Sequence, residues 1–385
     1  MFHSAISPET TAAAPGAARL VIVPWRSCTA PEEVARWDAL GVRAAEPNPF
    51  IEPWYLLPSL RALDPSGRVR IARLEREGEW LGLIPLVAEP RYYRWPVPQW
   101  RNWVHANAFL GAPLVAAGHE ETFWRTLFAA LDDRPGSGLF LHLSGLPLEG
   151  PLAQALARVS ADQQRRTATV FQEERALLQS ALSPDEYLAA ALSGKKRKEL
   201  RRQYARLSEL GELAVVRHED ADGIDEWLGQ FLTLEASGWK GAAGSALAAQ
   251  AETTALFTQG LRDAAVRGRL QRLALTLDGR PIAMLATLIC SPGAFSYKTA
   301  FDESLARFSP GVLLQRENMA LLADPRIAWC DSCAAADHPM IDHLWRERRA
   351  VGRVSVAIGG ALRRKAFGLL ADAEIARLPA KAAAA

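Results

Sequence analysis

The chain has 385 residues, enough for two ordinary cores at roughly 150 residues each, and its hydrophobic fraction of 49% can fill both. Lys and Arg number 45 against 43 Asp and Glu, a net charge of +2, which argues against a global nucleic-acid binder and makes any basic site local. Four cysteines, Cys28, Cys290, Cys330 and Cys333, are too few for a disulfide framework and fit a reducing compartment, the cytoplasm.

Residues 1–18 are rich in Ala, Ser, Thr and Pro and lack a cationic start and a continuous apolar run, so they read as a frayed tail and not a signal peptide. The longest apolar stretches, such as Ala283 to Cys290, fall far below the ~20 residues of a membrane helix, so no integral membrane association is expected.

The first clear element is VRIARLEREGEWLGLIPLVAE, two β-type runs around Glu77 and Gly78, an acidic-Gly hairpin turn. A Trp-rich stretch follows, WPVPQWRNW, carrying Trp95, Trp100 and Trp103. A helix over about Glu120 to Leu131 has Phe123, Leu127 and Leu131 at i, i+4 spacing, and the strand LFLHLSGL comes next. Gly150 to Leu182 reads as helix-prone and then irregular. Ser183, Pro184 and Glu186 form a capping box with Pro at the first helical position, which places the start of a second domain near residue 183.

The segment SGKKRKELRRQYARLSELG, from Ser193 to Gly211, stacks Leu200, Tyr204 and Leu207 on one helix face. It carries seven cations, among them Lys195, Lys196 and Arg197, against Glu199 and Glu209. Such a run is either a solvated face or an anion site, with phosphate the expected anion. Gly211 suits a left-handed cap. In FLTLEASGWKGAAGSAL, Glu235, Trp239 and Lys240 sit where a helix breaks into a Gly-rich loop; the segment fits a ligand's close approach or a plain helix end with Trp239 in the core.

A second hairpin, LQRLALTLDGRPIAMLATLIC, places Asp278 and Gly279 where Glu77 and Gly78 stand in the first. Tyr297 to Phe301 read as a strand, a loop runs to Pro310, a helix follows to about Ala323, and IAWCDSC reads as another strand. Gly311 opens that helix, where free N–H groups could hold a pyrophosphate. The same succession in both halves predicts two α/β domains of related topology.

Cys330, Cys333, His338 and His343 approach a zinc-knuckle spacing, but residues three apart in a strand face opposite ways, so no metal is expected. Nucleophile elbow, H-E-x-x-H, Walker and kinase signatures are all missing, which leaves direct transfer or no enzyme at all.

Taken in order, SGKKRKELRR, LEASGWKG with GSAL, AFDESLARFSPGVLL and CDSCAAADHPMIDHLW resemble the GNAT-like acyltransferases grouped with cellulose-biosynthesis-associated proteins, over about Ser183 to Gly360. That family is distantly similar to the Fem-type aminoacyltransferases, which carry two tandem GNAT-like domains. The resemblance implies an α/β (α+β) tandem pair, each a mixed central sheet flanked by helices, with a degenerate first copy at 19–182, an acyltransferase domain at 183–375 and a tail at 376–385. It implies an acyl-coenzyme A donor, acetyl-CoA first, splayed between central strands with its phosphates at Phe308, Ser309, Pro310 and Gly311. Lys195, Lys196 and Arg197 would close over that anion or the acceptor. The usual Q/R-x-x-G-x-G/A is absent and only SPG remains, which keeps aminoacyl-tRNA open as donor.

The resemblance further implies attack on the thioester by an amine, or a sugar-linked amine or hydroxyl, in a ternary complex, with a link to polysaccharide biosynthesis. Asp331, Asp302 and His338 are the candidate bases, with Asp331 the first choice; Tyr297 would protonate the leaving thiolate, and Trp239, Lys240 and Lys298 would face the acceptor. Two alternatives stand beside it. One is a Fem-like transferase whose basic helix contacts tRNA phosphates; the other is a non-catalytic module binding polysaccharide or a protein partner through Trp95, Trp100 and Trp103.

Overall fold

The computed structural model describes residues 16–377, so the tails expected at 1–18 and 376–385 fall almost wholly outside the described residues. The chain divides into two compact units, one built from residues up to Glu173 together with those from Ala350 onward, the other from Glu174 to Arg349.

The first unit runs β1 (Arg19–Pro24), α1 (Pro31–Val42), α2 (Pro53–Leu63), β2 (Arg70–Arg76), β3 (Glu79–Glu89), β4 (Gln99–Asn102), β5 (Leu114–Val115), α3 (Glu120–Asp133), β6 (Phe140–Pro147) and α4 (Pro151–Asp162), and β7 (Thr167–Leu178) begins within it. Glu77 and Gly78 both have positive φ, +51° and +85°, the backbone of the primed turn expected between β2 and β3. α3 buries Phe123, Trp124, Leu127, Phe128 and Leu131 in one cluster with Leu141 and Leu143 of β6, so its apolar stripe faces the sheet. β4 and β6 pair in parallel.

The second unit runs α5 (Pro184–Ala191), α6 (Gly194–Ser208), β8 (Leu213–His218), α7 (Ile224–Ser237), α8 (Trp239–Ala242), α9 (Ala251–Val266), β9 (Leu270–Leu277), β10 (Arg280–Cys290), β11 (Gly293–Phe301), α10 (Pro310–Asn318) and β12 (Trp329–Asp331). Its sheet order is β7, β12, β11, β10, β9, β8, and only β11 with β12 is parallel. The capping box forms as read: Ser183 Oγ accepts from Glu186 N–H, and the Glu186 carboxylate accepts from Ser183 N–H at 3.0 Å. Asp278 and Gly279 repeat the positive-φ turn. A strand, helices, a hairpin, a strand, a helix and a strand thus recur in the two units in the same order, with the short β5 added in the first and the short α8 in the second.

Several local expectations are corrected. The stretch read as irregular before Ser183 holds β7, and residues past Arg346 form β13 (Glu347–Ala357) and α11 (Ala361–Ile375). β13 pairs with β6 from Val351↔Pro147 to Ala357↔Phe140, so the C-terminal segment belongs to the first unit, not to a domain spanning 183–375. IAWCDSC shrinks to the three residues of β12, and Cys333 lies beyond it with a φ of +53°. Gly211 is not left-handed; it leaves room for Asp278, whose carboxylate accepts from Glu212 N–H at 2.7 Å.

Candidate functional site

The second unit opens its sheet at one place. β11 and β12 pair only from Gly293↔Trp329 to Phe295↔Asp331, while β11 continues to Phe301. Where the partner strand is lost, the pairing of β11 with β10 slips between Ala286↔Lys298 and Thr287↔Ser296, leaving Tyr297 as an extra residue. Such a bulge bends a strand and re-aims its side chains.

On one side of this opening lie α7 and the loop after it. Glu235 is buried near the end of α7 and its carboxylate accepts from Lys240 Nζ and from Leu247 N–H, each at 2.8 Å. Lys298, on β11, is desolvated there; burial first, then the Lys240 charge, push its pKa down to about 8 against the pull of Glu235 and Cys333. His338 is half-buried, its Nδ1 shielded with no hydrogen-bond partner. Burial and then Lys240 hold its pKa below the ordinary value despite Asp342, which keeps the imidazole neutral at neutral pH. The Tyr297 ring is buried, stacked on Phe257 of α9, with Lys298 Nζ 5.7 Å from its centre. Lys240, Lys298, His338 and Tyr297 therefore share one neighbourhood. Trp239 is 60% exposed at its mouth and not in the core.

Asp331, the first choice of base, is placed otherwise. It is fully buried, ion-paired to Arg175 at 3.0 Å and to Arg349 at 2.9 Å, and it accepts from Cys333 N–H at 2.9 Å. A carboxylate held by two guanidinium groups and a backbone donor is an anchor for β12 and not a proton acceptor. Asp302 is likewise occupied: it caps the turn after β11 through Ser304 N–H at 3.0 Å and pairs with Arg280.

The segment Phe308 to Gly311, where a phosphate cradle was expected, forms the entry to α10 and is largely buried. Ser309 is left-handed at φ +53° and caps α10, and Val312 and Leu313 N–H both donate to its carbonyl at 3.0 Å. Phe308, Pro310 and Gly311 are buried. A Cβ on Gly311 would come within 2.7 Å of Met340 Sδ and 3.2 Å of Phe301. The space beside the Gly311 Cα is thus filled by the flexible Met340 side chain and the Phe301 ring.

Lys195, Lys196 and Arg197 do not converge on this cradle. Gln203 Nε2 donates to Ser309 Oγ at 3.2 Å, whereas Arg197 and Arg201 border Arg316 and Met319, so α6 runs antiparallel to α10 and its first turn lies by the far end, ~13 Å along the helix. Nor do the three tryptophans form one platform. Trp95 is exposed, Trp100 packs under α3 with its Nε1–H on the Pro135 carbonyl, and Trp103 packs against His105.

Comparison with known proteins follows this geometry. Residues 194–338 match the family described as Acetyltransferase (GNAT) domain. No curated protein sequence matches the chain. Among solved structures the chain is similar to FemX, at 9% identity over 88% of this chain and 98% of that one with a TM-score of 0.53. It is similar to a conserved protein of unknown function from Bacteroides thetaiotaomicron, at 13% identity over 84% and 97% with a TM-score of 0.52. It is also similar to the C-terminal domain of a putative lysylphosphatidylglycerol synthetase from Agrobacterium fabrum, at 14% identity over 87% and 94% with a TM-score of 0.52. The fold is therefore a mixed α/β architecture like that of FemX, and residues 194–338 carry a GNAT acyltransferase fold. Among the described residues no helix is long and apolar enough to cross a membrane.

Proposed function

We propose that the second unit binds an acyl-coenzyme A, acetyl-CoA first, across the opening between β11 and β12 and passes the acyl group directly to an acceptor amine. The observation that carries this reading is the three-residue parallel pairing of β11 with β12, with the Tyr297 bulge at the point where it ends. A thioester laid along the free edge of β11 meets unpaired strand backbone and the Lys240, Lys298 and His338 cluster. The donor supplies an activated carbonyl, so the protein's part is to hold the two reactants together and take a proton from the amine. Positioning alone can supply ~7–11 kcal/mol, and a base adds roughly 3–5 kcal/mol. Neutral His338 and the weakly basic Lys298 replace Asp331 as candidate bases. Tyr297 remains the candidate acid toward the thiolate, and Trp239 with Lys240 borders the acceptor's approach.

Hydrogen exchange tests the placement. Saturating acetyl-CoA should slow amide exchange over Ser296–Phe301 and the first turn of α10 while β2 and β3 stay unchanged. Protection confined to the first unit, or none, would remove the donor from this opening.

The Fem-like alternative draws on one observation, the fold shared with FemX. It predicts that aminoacyl-tRNA binds with a steep salt dependence and competes with acyl-CoA.

A further inference from the structure

Between α5, α6 and the far end of α10 lies a groove of about 490 Å³, within the ~300–1,000 Å³ range of small-molecule sites. Arg197 and Arg201 enter it from one face of α6, four residues apart, and Arg316 enters from α10. Two like charges at that spacing repel one another unless an anion sits between them. The three guanidinium groups are unequally occupied. Arg316 is taken, by Glu317 at 2.5 Å and by the Tyr204 ring, 5.1 Å from its carbon. Arg197 Nε is shielded from water with no acceptor, and Arg201 forms no ion pair among the described residues. Of the two acids at the groove, Glu317 is therefore spent on Arg316, and Asp185 alone faces the two other arginines. The floor is apolar, from Leu188, Leu200 and Met319. Guanidinium forks match phosphate oxygens in pairs, and a lone phosphate would leave the apolar floor bare.

We infer that this groove is a second anion site, separate from the donor's place at β11 and β12, which takes the phosphate of an organic phosphate ester and lays the ester's ring or chain on the Leu188, Leu200 and Met319 floor. It does not depend on the acyltransferase reading, since the site and its ligand chemistry are defined by the groove alone.

Calorimetric titration with three probes tests it: inorganic pyrophosphate, ADP, and a short-chain phosphatidylglycerol below its micelle concentration. At least one should bind one-to-one, with ADP or the lipid tighter than pyrophosphate because each has a body for the floor. Preference for ADP assigns a nucleotide, and preference for the lipid assigns a headgroup. Arg201→Glu, on an exposed side chain that the fold does not need, should weaken that binding at least ~10-fold, as loss of a charged hydrogen bond does. Ser309→Asp, at the donor cradle, should leave it unchanged. Failure of all three probes to bind the intact chain, or equal binding by the Arg201→Glu variant, overturns the inference. So does loss of the same binding in Ser309→Asp, which would assign it to the donor cradle.

Discussion

At the scale of single residues, charge burial separates anchors from reactive groups. Asp331 sits at zero exposure between Arg175 and Arg349, and removing it takes away the buried carboxylate that both guanidinium groups pair with. Asp331→Ala should therefore cost ~3–5 kcal/mol, read as a lower denaturation midpoint; an unchanged midpoint would contradict the anchor role. Lys298 is a different case, a charge whose burial outweighs the pull of the acids around it. Its pKa of about 8 lies below the ordinary 10.5, so the folded chain pays to keep it protonated. The penalty is borne in full below pH 8 and fades as pH rises toward 10.5, because in that window the unfolded chain holds a proton the folded chain has lost. Lys298→Met should raise stability at pH 7 by roughly 1–3 kcal/mol and match the parent above pH 10.5. Equal stability curves at every pH would show that Lys298 is not desolvated. The resemblance to GNAT-like acyltransferases named both residues, Asp331 as first-choice base and Lys298 as facing the acceptor. That Asp331 is an ion-paired anchor was hidden, because its partners lie 156 and 18 residues away.

At the scale of elements, Glu235 ties α7 to the loop that carries Trp239 and Lys240. Its two carboxylate oxygens serve different parts of that loop, Lys240 Nζ and Leu247 N–H. Glu235→Ala should lose ~1–3 kcal/mol of stability and, because the loop borders the acceptor side, raise the acceptor KM more than the donor Kd. An acceptor KM unchanged beside a weakened donor would place the loop on the wrong side of the reaction. Elements with a local signature were legible: the two acidic-Gly hairpins, the Ser183 capping box and the apolar stripe of α3 all follow from residues within a few positions of one another. β7 and β13 were not. Their runs TATVFQEERALL and ERRAVGRVSVA mix charge into the strand pattern, and key charges among them find remote partners, as Arg175 does in Asp331. The direction of α6 was equally unreadable, since helical periodicity gives a face but not the end of the neighbour it meets. Its basic first turn, which the resemblance put over the donor's phosphates or the acceptor, lies by Arg316.

At the scale of the molecule, the duplication survives from sequence to structure: each unit places a strand after its hairpin beside a parallel strand that follows a helix, β4 with β6 and β11 with β12. Only the second carries Lys240, Lys298 and His338 at that opening, so donor binding is expected there and once per chain. The return of residues from Ala350 onward to the first unit could not be read, because β13 meets β6 about two hundred residues earlier in the chain and no local pattern encodes such a pairing. The most direct measurement is calorimetric titration with acetyl-CoA of the intact chain and of Ser309→Asp. Aspartate tolerates the left-handed backbone at this position and still accepts from Gln203, and the Ser309 side chain makes no capping hydrogen bond to lose, so the fold is kept while a negative charge enters the segment. The account predicts one site per chain in the parent and at least ~10-fold weaker binding in the variant, as two like charges a few ångströms apart require. No binding by the parent, or equal binding by both, would contradict it.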